Sequence, residues 1–190
     1  MWSASFDSPV GRLHALGSDR GLRAVSWSAG EVHRLGPDAT PVAGVGPALL
    51  AELREQLEAY FEGDLREIEL RLDPIGTEFQ RAAWTALIEI PFGETRSYAQ
   101  QAEAIGRPSA VRAIGTANGA NPVVIVIPCH RVIGADGSLT GFGGGLPLKR
   151  KLLEHEARIA GTPGPRGSEL LQPQLPFSGD EIRPGLRHRE

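Results

Sequence analysis

Apolar positions early in the chain fall in short runs. Trp2 to Phe6, Gly11 to Leu16 and Leu22 to Trp27 are apolar or alternating stretches, separated by Ser8-Pro9, Gly17-Ser18 and Gly21. Turn-forming residues between such runs predict a small antiparallel β-meander. Residues 36–46, rich in Pro, Gly and Ala, predict a loop. Leu49, Leu50, Leu53, Leu57, Tyr60 and Phe61 then approach the i, i+3, i+4, i+7 pattern, which predicts a helix stopped by Gly63. Its opposite face, Glu52, Arg54, Glu55 and Glu58, is solvated. From Glu67 to Asp73 the pattern alternates, with Ile68, Leu70 and Leu72 on one side, which predicts a half-buried strand.

Pro74-Ile75-Gly76 reads as a linker, and the pattern after it is helical. Thr77 with Gln80 makes a capping box opening a helix whose buried face is Phe79, Ala83, Leu87 and Ile90, ended by Pro91. Ser97 with Gln100 makes a second box, opening a helix that Gly106 stops. Pro108 and Ser109 precede a third, from Ala110 to about Ala117. Two short helices around a Gly-containing turn suit either a helix-turn-helix or an ordinary helical corner. After the turn-rich residues 118–122, the β-branched run Val123 to Ile127 predicts a buried extended segment that delivers Pro128-Cys129-His130-Arg131 into the interior or a cleft. Residues 134–145 carry six glycines and predict a flexible loop. Pro147 to Arg158 predicts a last helix, with Leu148, Leu152, Leu153 and Ala157 inward. From Gly161 onward periodicity is lost, which predicts a disordered tail. The organisation expected is an N-terminal α/β domain at 1–74, a C-terminal domain at 75–160, and a tail at 161–190.

Composition narrows the chemistry. The chain has 190 residues and one cysteine, so an intrachain disulfide, a Cys-rich zinc site and an iron–sulfur cluster are excluded. A lone Cys and an N-terminus without a basic, then apolar leader favour a cytoplasmic protein. The longest apolar run, Val123 to Ile127, is too short to span a bilayer, so no membrane is expected as a partner. Net charge is −3, which argues against an indiscriminate nucleic-acid binder. Its distribution is uneven: residues 1–74 hold 7 Lys+Arg against 12 Asp+Glu, and residues 75–160 hold 9 against 7. Only the second part could approach phosphates.

A lone Cys is most often an inert buried hydrophobe. Cys129 follows a rigid apolar segment and precedes His130 and Arg131, and cationic or hydrogen-bonding neighbours lower a thiol pKa. That context points to a nucleophile without naming its electrophile.

The run Ile127-Pro128-Cys129-His130-Arg131-Val132 resembles the active-site signature of the O6-alkylguanine-DNA alkyltransferases, direct-reversal DNA repair proteins. Residues 76–80, 90–98, Ala113-Ile114-Gly115, Asn121-Pro122 and Leu153-Glu154-His155-Glu156 resemble family motifs in the family's order. The likeness is strong over 76–159 and looser over the N-terminal meander. It implies an α+β fold: a ribonuclease H-like N-terminal sheet and helix, then a mainly helical, winged-helix-like domain with a helix-turn-helix. It implies transfer of an alkyl group from guanine O6, and less efficiently from thymine O4, to Cys129, once per molecule. It requires no cofactor and no metal. The partner would be double-stranded DNA containing O6-alkylguanine, met by a monomer.

The resemblance also assigns roles. Cys129 takes the alkyl group, His130 is base through a bridging water, and Glu156 polarises His130. Tyr98 donates a proton to the departing guanine, and Asn121 holds the active-site turn, its tolerance of unusual backbone angles suiting that place. The target base must leave the stack, and Arg112 would fill the gap. Ala110, Ala113 and Gly115 would let the second helix approach the minor groove, and Ser97, Arg131, Phe142 and Gly143 complete the expected substrate and DNA contacts. Phe142 and Gly143 depart from the family's usual Tyr and small, often hydroxylated residue, which bears on the range of adducts accepted. With no Cys besides Cys129, the zinc-binding variations of the family are absent.

Other classes remain distinguishable. A non-catalytic protein that marks alkylated DNA would lack the reactive Cys, a cysteine hydrolase would turn over repeatedly without a DNA-reading helix, and a transcription factor would need a paired unit.

Overall fold

A computed structural model describes residues 1–42 and 47–166. The first three strands form the expected meander: β1 (Trp2–Phe6), β2 (Leu13–Ser18) and β3 (Gly21–Ser26), each antiparallel to the next. Between β3 and the next strand lies a helix, α1 (Ala29–Leu35), whose N-terminus is capped by the Ser28 side chain accepting from the Glu31 amide.

Two corrections follow in this part of the chain. The expected loop at 36–46 contains β4 (Thr40–Pro41), which pairs parallel to β1 and gives the sheet order β3-β2-β1-β4; residues 43–46 of that expectation lie outside the described residues. The expected strand at Glu67–Asp73 is extended chain with one bridge, Leu22 to Leu72, made by Leu22 N to Arg71 O and Asp73 N to Leu22 O. Ile68, Leu70 and Leu72 nevertheless pack on the core, as the alternation predicts.

Helix α2 (Ala48–Glu62) buries Leu50, Leu53, Leu57, Tyr60 and Phe61 and ends on Gly63 in the left-handed conformation, as its spacing requires. Helix α3 (Glu78–Ile88) opens on the Thr77–Gln80 capping box. A short strand β5 (Arg96–Ser97) leads into α4 (Tyr98–Ala104) through the Ser97–Gln100 box, and α5 (Val111–Gly119) follows after a turn. The chain then passes through a 3-10 helix (Cys129–Arg131), pairs β6 (Val132–Ile133) parallel to β5, crosses the glycine-rich loop, and closes with α6 (Leu146–Ala160). This is an α+β protein with a four-stranded N-terminal sheet and a helical C-terminal part.

The run Val123–Ile127 is not an extended strand. Ile125 has φ 72°, and Ile127 N bonds back to Val123 O at 2.9 Å, so the segment folds into a tight turn. A β-branched residue in the left-handed region costs roughly 1–2 kcal/mol. The surroundings hold it there, because Val25 on β3 exchanges hydrogen bonds with Pro122 O at 2.8 Å and Val124 N at 3.0 Å. One core joins the N-terminal elements to the chain around Cys129: Leu53, Leu57 and Tyr60 of α2 pack with Leu87, Ile90, Val123, Ile127 and Leu152. Of the expected tail, residues 167–190 lie outside the described residues. Thr162 is pinned rather than free, its amide bonded to Ala157 O at 3.0 Å and its hydroxyl to Gly93 O at 2.8 Å.

Candidate active site

The turn at 123–127 sets up Cys129. Asn121 clips that turn at both ends: its Oδ1 accepts from Val123 N at 3.0 Å and its Nδ2 donates to Ile127 O at 2.8 Å. The unusual backbone angle belongs to Ile125, not to Asn121 as expected; Asn121 supports it through its side chain. The same Nδ2 reaches Cys129 Sγ at 3.2 Å. Cys129 is 7% exposed. Burial pushes its thiol pKa up, while the Asn121 amide and the Lys149 ammonium pull the other way without winning. At rest the sulfur carries its proton, and a base is needed to remove it.

His130, on the next step of the 3-10 helix, is fully buried. Its Nε2 meets Glu156 Oε1 at 2.8 Å. Burial lowers the His130 pKa despite the opposing pull of Glu156, and Arg131 and Lys149 lower it further, so the imidazole is neutral. For Glu156, burial opposes ionisation, but His130 and the Arg131 guanidinium outweigh it and hold the carboxyl far below the usual carboxylate range. An ionised carboxylate can only accept, so Nε2 bears the proton and Nδ1 has the free lone pair. Nδ1 is buried and, among the described residues, without a hydrogen-bond partner. This gives His130 the tautomer of a general base, with the carboxylate behind it.

Arg131 requires a correction. Expected among the DNA-contacting residues, it is 7% exposed and turned inward. Its Nε and Nη2 grip Glu156 at 2.9 Å to Oε2 and 2.9 Å to Oε1, and its Nη1 donates to Ile90 O at 2.6 Å. A buried carboxylate needs a charged partner, and this one takes the nearest guanidinium. Glu156 also accepts from the Tyr60 hydroxyl at 2.8 Å and from Gly93 N at 3.1 Å.

Two side chains, Tyr98 and Lys149, hold the loop 134–145. Tyr98, at the start of α4, donates from its hydroxyl to Thr140 O at 3.0 Å. Burial raises the Tyr98 pKa, with that hydrogen bond only partly opposing, so the phenol remains a proton donor. Lys149, which the sequence reading passed over, is fully buried. Its Nζ donates to Val132 O at 2.5 Å, Thr140 O at 2.6 Å and Gly141 O at 3.4 Å. Burial lowers its pKa to about 8. A charge on the buried stripe of α6, in step with Leu152, Leu153 and Glu156, was the signal available. Phe142 packs edge-on against Trp27 of the N-terminal part, ring centres 5.7 Å apart, and Gly143 is exposed.

Helix α5 presents Arg112 and Ala113 to solvent, with Ala110 and Gly115 partly buried. Arg112, Ala113 and Gly115 lie on this short helix and Ala110 is its N-cap; Gly115 stands beside the Tyr98 ring. The angle between α4 and α5 is set by a buried reciprocal amide pair: Gln101 Nε2 to Asn118 Oδ1 at 3.0 Å and Asn118 Nδ2 to Gln101 Oε1 at 2.7 Å. Ser97, expected at the substrate, spends its hydroxyl on the α4 cap, accepting from Gln100 N at 3.1 Å. Among the described residues no group of three or more His, Cys, Asp or Glu is placed to hold a metal ion, and no helix is long and apolar enough to cross a membrane.

Two family models match: the ribonuclease-like domain of 6-O-methylguanine DNA methyltransferase over residues 1–74, and the DNA binding domain of the same protein over residues 78–158. A curated relative from Methanosarcina acetivorans, named methylated-DNA–protein-cysteine methyltransferase, is 46% identical over 156 residues, 82% of this chain and 98% of its own. One of the same name from Mycolicibacterium paratuberculosis is 52% identical over 155 residues, 80% of this chain and 90% of its own. The crystal structure of Mycobacterium tuberculosis OGT in complex with DNA superposes with a TM-score of 0.74 at 44% identity, covering 84% of this chain and 94% of that one.

Proposed function

The chain belongs to the 6-O-methylguanine DNA methyltransferase family, and on that premise we propose how its residues divide the work of direct-reversal DNA repair. The protein is a methylated-DNA–protein-cysteine methyltransferase acting on double-stranded DNA, with O6-alkylguanine as its main substrate and O4-alkylthymine as a lesser one. The observation that carries the assignment of roles is the buried line from Asn121 through Cys129 and His130 to Glu156.

His130 Nδ1 takes the Cys129 proton through a bridging water, and the Asn121 amide steadies the sulfur as it becomes a thiolate. The thiolate attacks the alkyl carbon; the carbon–O6 bond breaks as the sulfur–carbon bond forms, and the bonding pair stays on the base. Tyr98 supplies the proton that makes the departing guanine neutral. The proton lost by the thiol balances the one the guanine gains. Glu156 stabilises the imidazolium that exists between those events. A thioether has no ready leaving path from Cys129, so each molecule acts once.

A base in a duplex must rotate out to meet a buried sulfur. Helix α5 enters the minor groove, the small residues Ala110, Ala113 and Gly115 allow close approach, and Arg112 occupies the vacated stack. The N-terminal part is ribonuclease H-like, the C-terminal part winged-helix-like, and the division falls near residue 75. The protein works as a monomer in the cytoplasm, where a lone thiol stays reduced.

Mass spectrometry tests this directly. Incubation with a duplex containing O6-methylguanine is expected to add one methyl group, mapped to Cys129, and Cys129→Ala is expected to remain unmodified while still binding the duplex. An unchanged mass beside tight binding would establish a lesion-marking protein in place of a transferase.

A further inference from the structure

Helix α2 lies in the part of the chain before the linker, yet it touches the catalytic group. Tyr60 is 1% exposed. Its hydroxyl donates to Glu156 Oε1 at 2.8 Å, the same oxygen that meets His130 Nε2 at 2.8 Å. Its carbonyl accepts from His155 Nε2 at 2.9 Å, so Tyr60 binds two consecutive residues of α6. Phe61 and Phe92 stand edge-on to its ring at 5.1 and 5.8 Å and fix the direction of the hydroxyl. A Phe would fill this space equally well. The hydroxyl must be desolvated to enter the core and its partner is the Glu156 carboxylate, so its place is explained by that carboxylate rather than by packing.

We propose that Tyr60 is a positioning residue for alkyl transfer: its hydroxyl fixes Glu156 Oε1 against His130 and limits the negative charge that oxygen presents to the imidazole. This rests on the reading of His130 as the base for Cys129. A carboxylate oxygen that shares its lone pairs among several donors holds an imidazolium less tightly. Without the hydroxyl, Oε1 turns its charge toward Nε2 and His130 accepts a proton at higher pH. The imidazole is then already protonated in weakly acidic solution and cannot serve as base. Burial and the neighbouring carboxylate push the Tyr60 pKa well above 10, so the phenol stays a donor throughout. The other groups facing His130 and Glu156 are Cys129 and Arg131 from the 3-10 helix and Lys149 and His155 from α6. None of them is altered by changing Tyr60 to Phe.

The test uses the full chain carrying Tyr60→Phe. The single-turnover rate of methyl transfer from an O6-methylguanine duplex, measured from acid to alkaline pH, is expected to keep its form with the acid limb moved upward by about half to one unit. Duplex affinity should not change. The His130 imidazole, followed by NMR without DNA, is expected to titrate higher by the same amount. Because that measurement needs no methyl transfer, it decides the role of Tyr60 even if the wild-type chain proves not to alkylate Cys129, a result that would sink only the reading it rests on. Introducing 3-fluorotyrosine at position 60 makes a stronger donor and should move the His130 titration downward. An unmoved His130 titration in both variants overturns the proposal, whatever happens to melting temperature or rate.

Discussion

The Asn121 side-chain amide donates at once to Ile127 O, at 2.8 Å, and to Cys129 Sγ, at 3.2 Å, tying the left-handed turn at Ile125 to the nucleophile. Asn121→Ala removes these two bonds and the one accepted from Val123 N, leaving that amide buried without its partner, while Ile127 O keeps the Cys129 amide at 2.8 Å. At about 1–3 kcal/mol for an unsatisfied buried group, a loss of roughly 1–3 kcal/mol in stability is expected. Chemical denaturation would give that value, and the transfer rate should fall further than stability explains, because the turn that aims Cys129 loosens. A stable variant with full activity would remove Asn121 from the site.

The buried charges set a direction for acid sensitivity. Glu156 titrates lower folded than unfolded, so its contribution is complete above its ordinary value of 4.5 and is lost as pH falls below it. His130 is also lowered from its ordinary 6.5, so its protonation favours unfolding, and that loss begins at higher pH. Stability measured by denaturant should decline from about pH 6.5 downward, steepening below about 4.5. His130→Gln should flatten the upper part of the curve and Glu156→Gln the lower part.

Lys149 and Tyr98 hold the same stretch of loop, both donating to Thr140 O. Lys149→Ala withdraws a donor from the carbonyls of Val132, Thr140 and Gly141 together. Hydrogen exchange over residues 134–145 should accelerate at least tenfold, corresponding to about 1.4 kcal/mol of lost local stability. The transfer rate should fall as Tyr98 loses its fixed acceptor. Unchanged protection in the loop would show that other contacts hold it.

Arg112 is exposed, and its replacement should leave the fold within about 0.5 kcal/mol of the parent. Arg112→Ala is nonetheless expected to slow transfer from duplex DNA by at least tenfold, while transfer from free O6-methylguanine base stays near the parent rate. Equal slowing with both substrates would place Arg112 outside the DNA interface.

Local signals were legible where a side chain reports on its own backbone. The boxes Thr77–Gln80 and Ser97–Gln100 are three residues apart and formed as read. Ser28 with Glu31 has the same spacing and marks α1, which was missed because seven residues with one buried apolar side chain, Val32, show little periodicity. The run Val123–Ile127 misled because an apolar stretch states burial, not conformation, and nothing in an isoleucine announces a positive φ. Cys129 stood out as a nucleophile from its neighbours, the roles of His130 and Glu156 came from the resemblance, and the fold brings His130 and Glu156 together. The partners of Arg131 and Tyr60 lie 25 and 96 residues away. Pairings at that distance are created by the core and have no counterpart in local pattern.

Strand β3 is at the end of the sheet order, where unpaired backbone would invite other chains. Here its outer groups are occupied at one end by residues 71–73 and at the other by residues 122–124. Cutting the chain near residue 75 would remove the second of these covers and uncover the apolar face that α2 shares with Leu152 and Ile127. The N-terminal fragment would then carry an open template for strand addition, so it should self-associate instead of persisting as a small soluble unit. The segment that carries the cysteine to its place is also the guard on that edge.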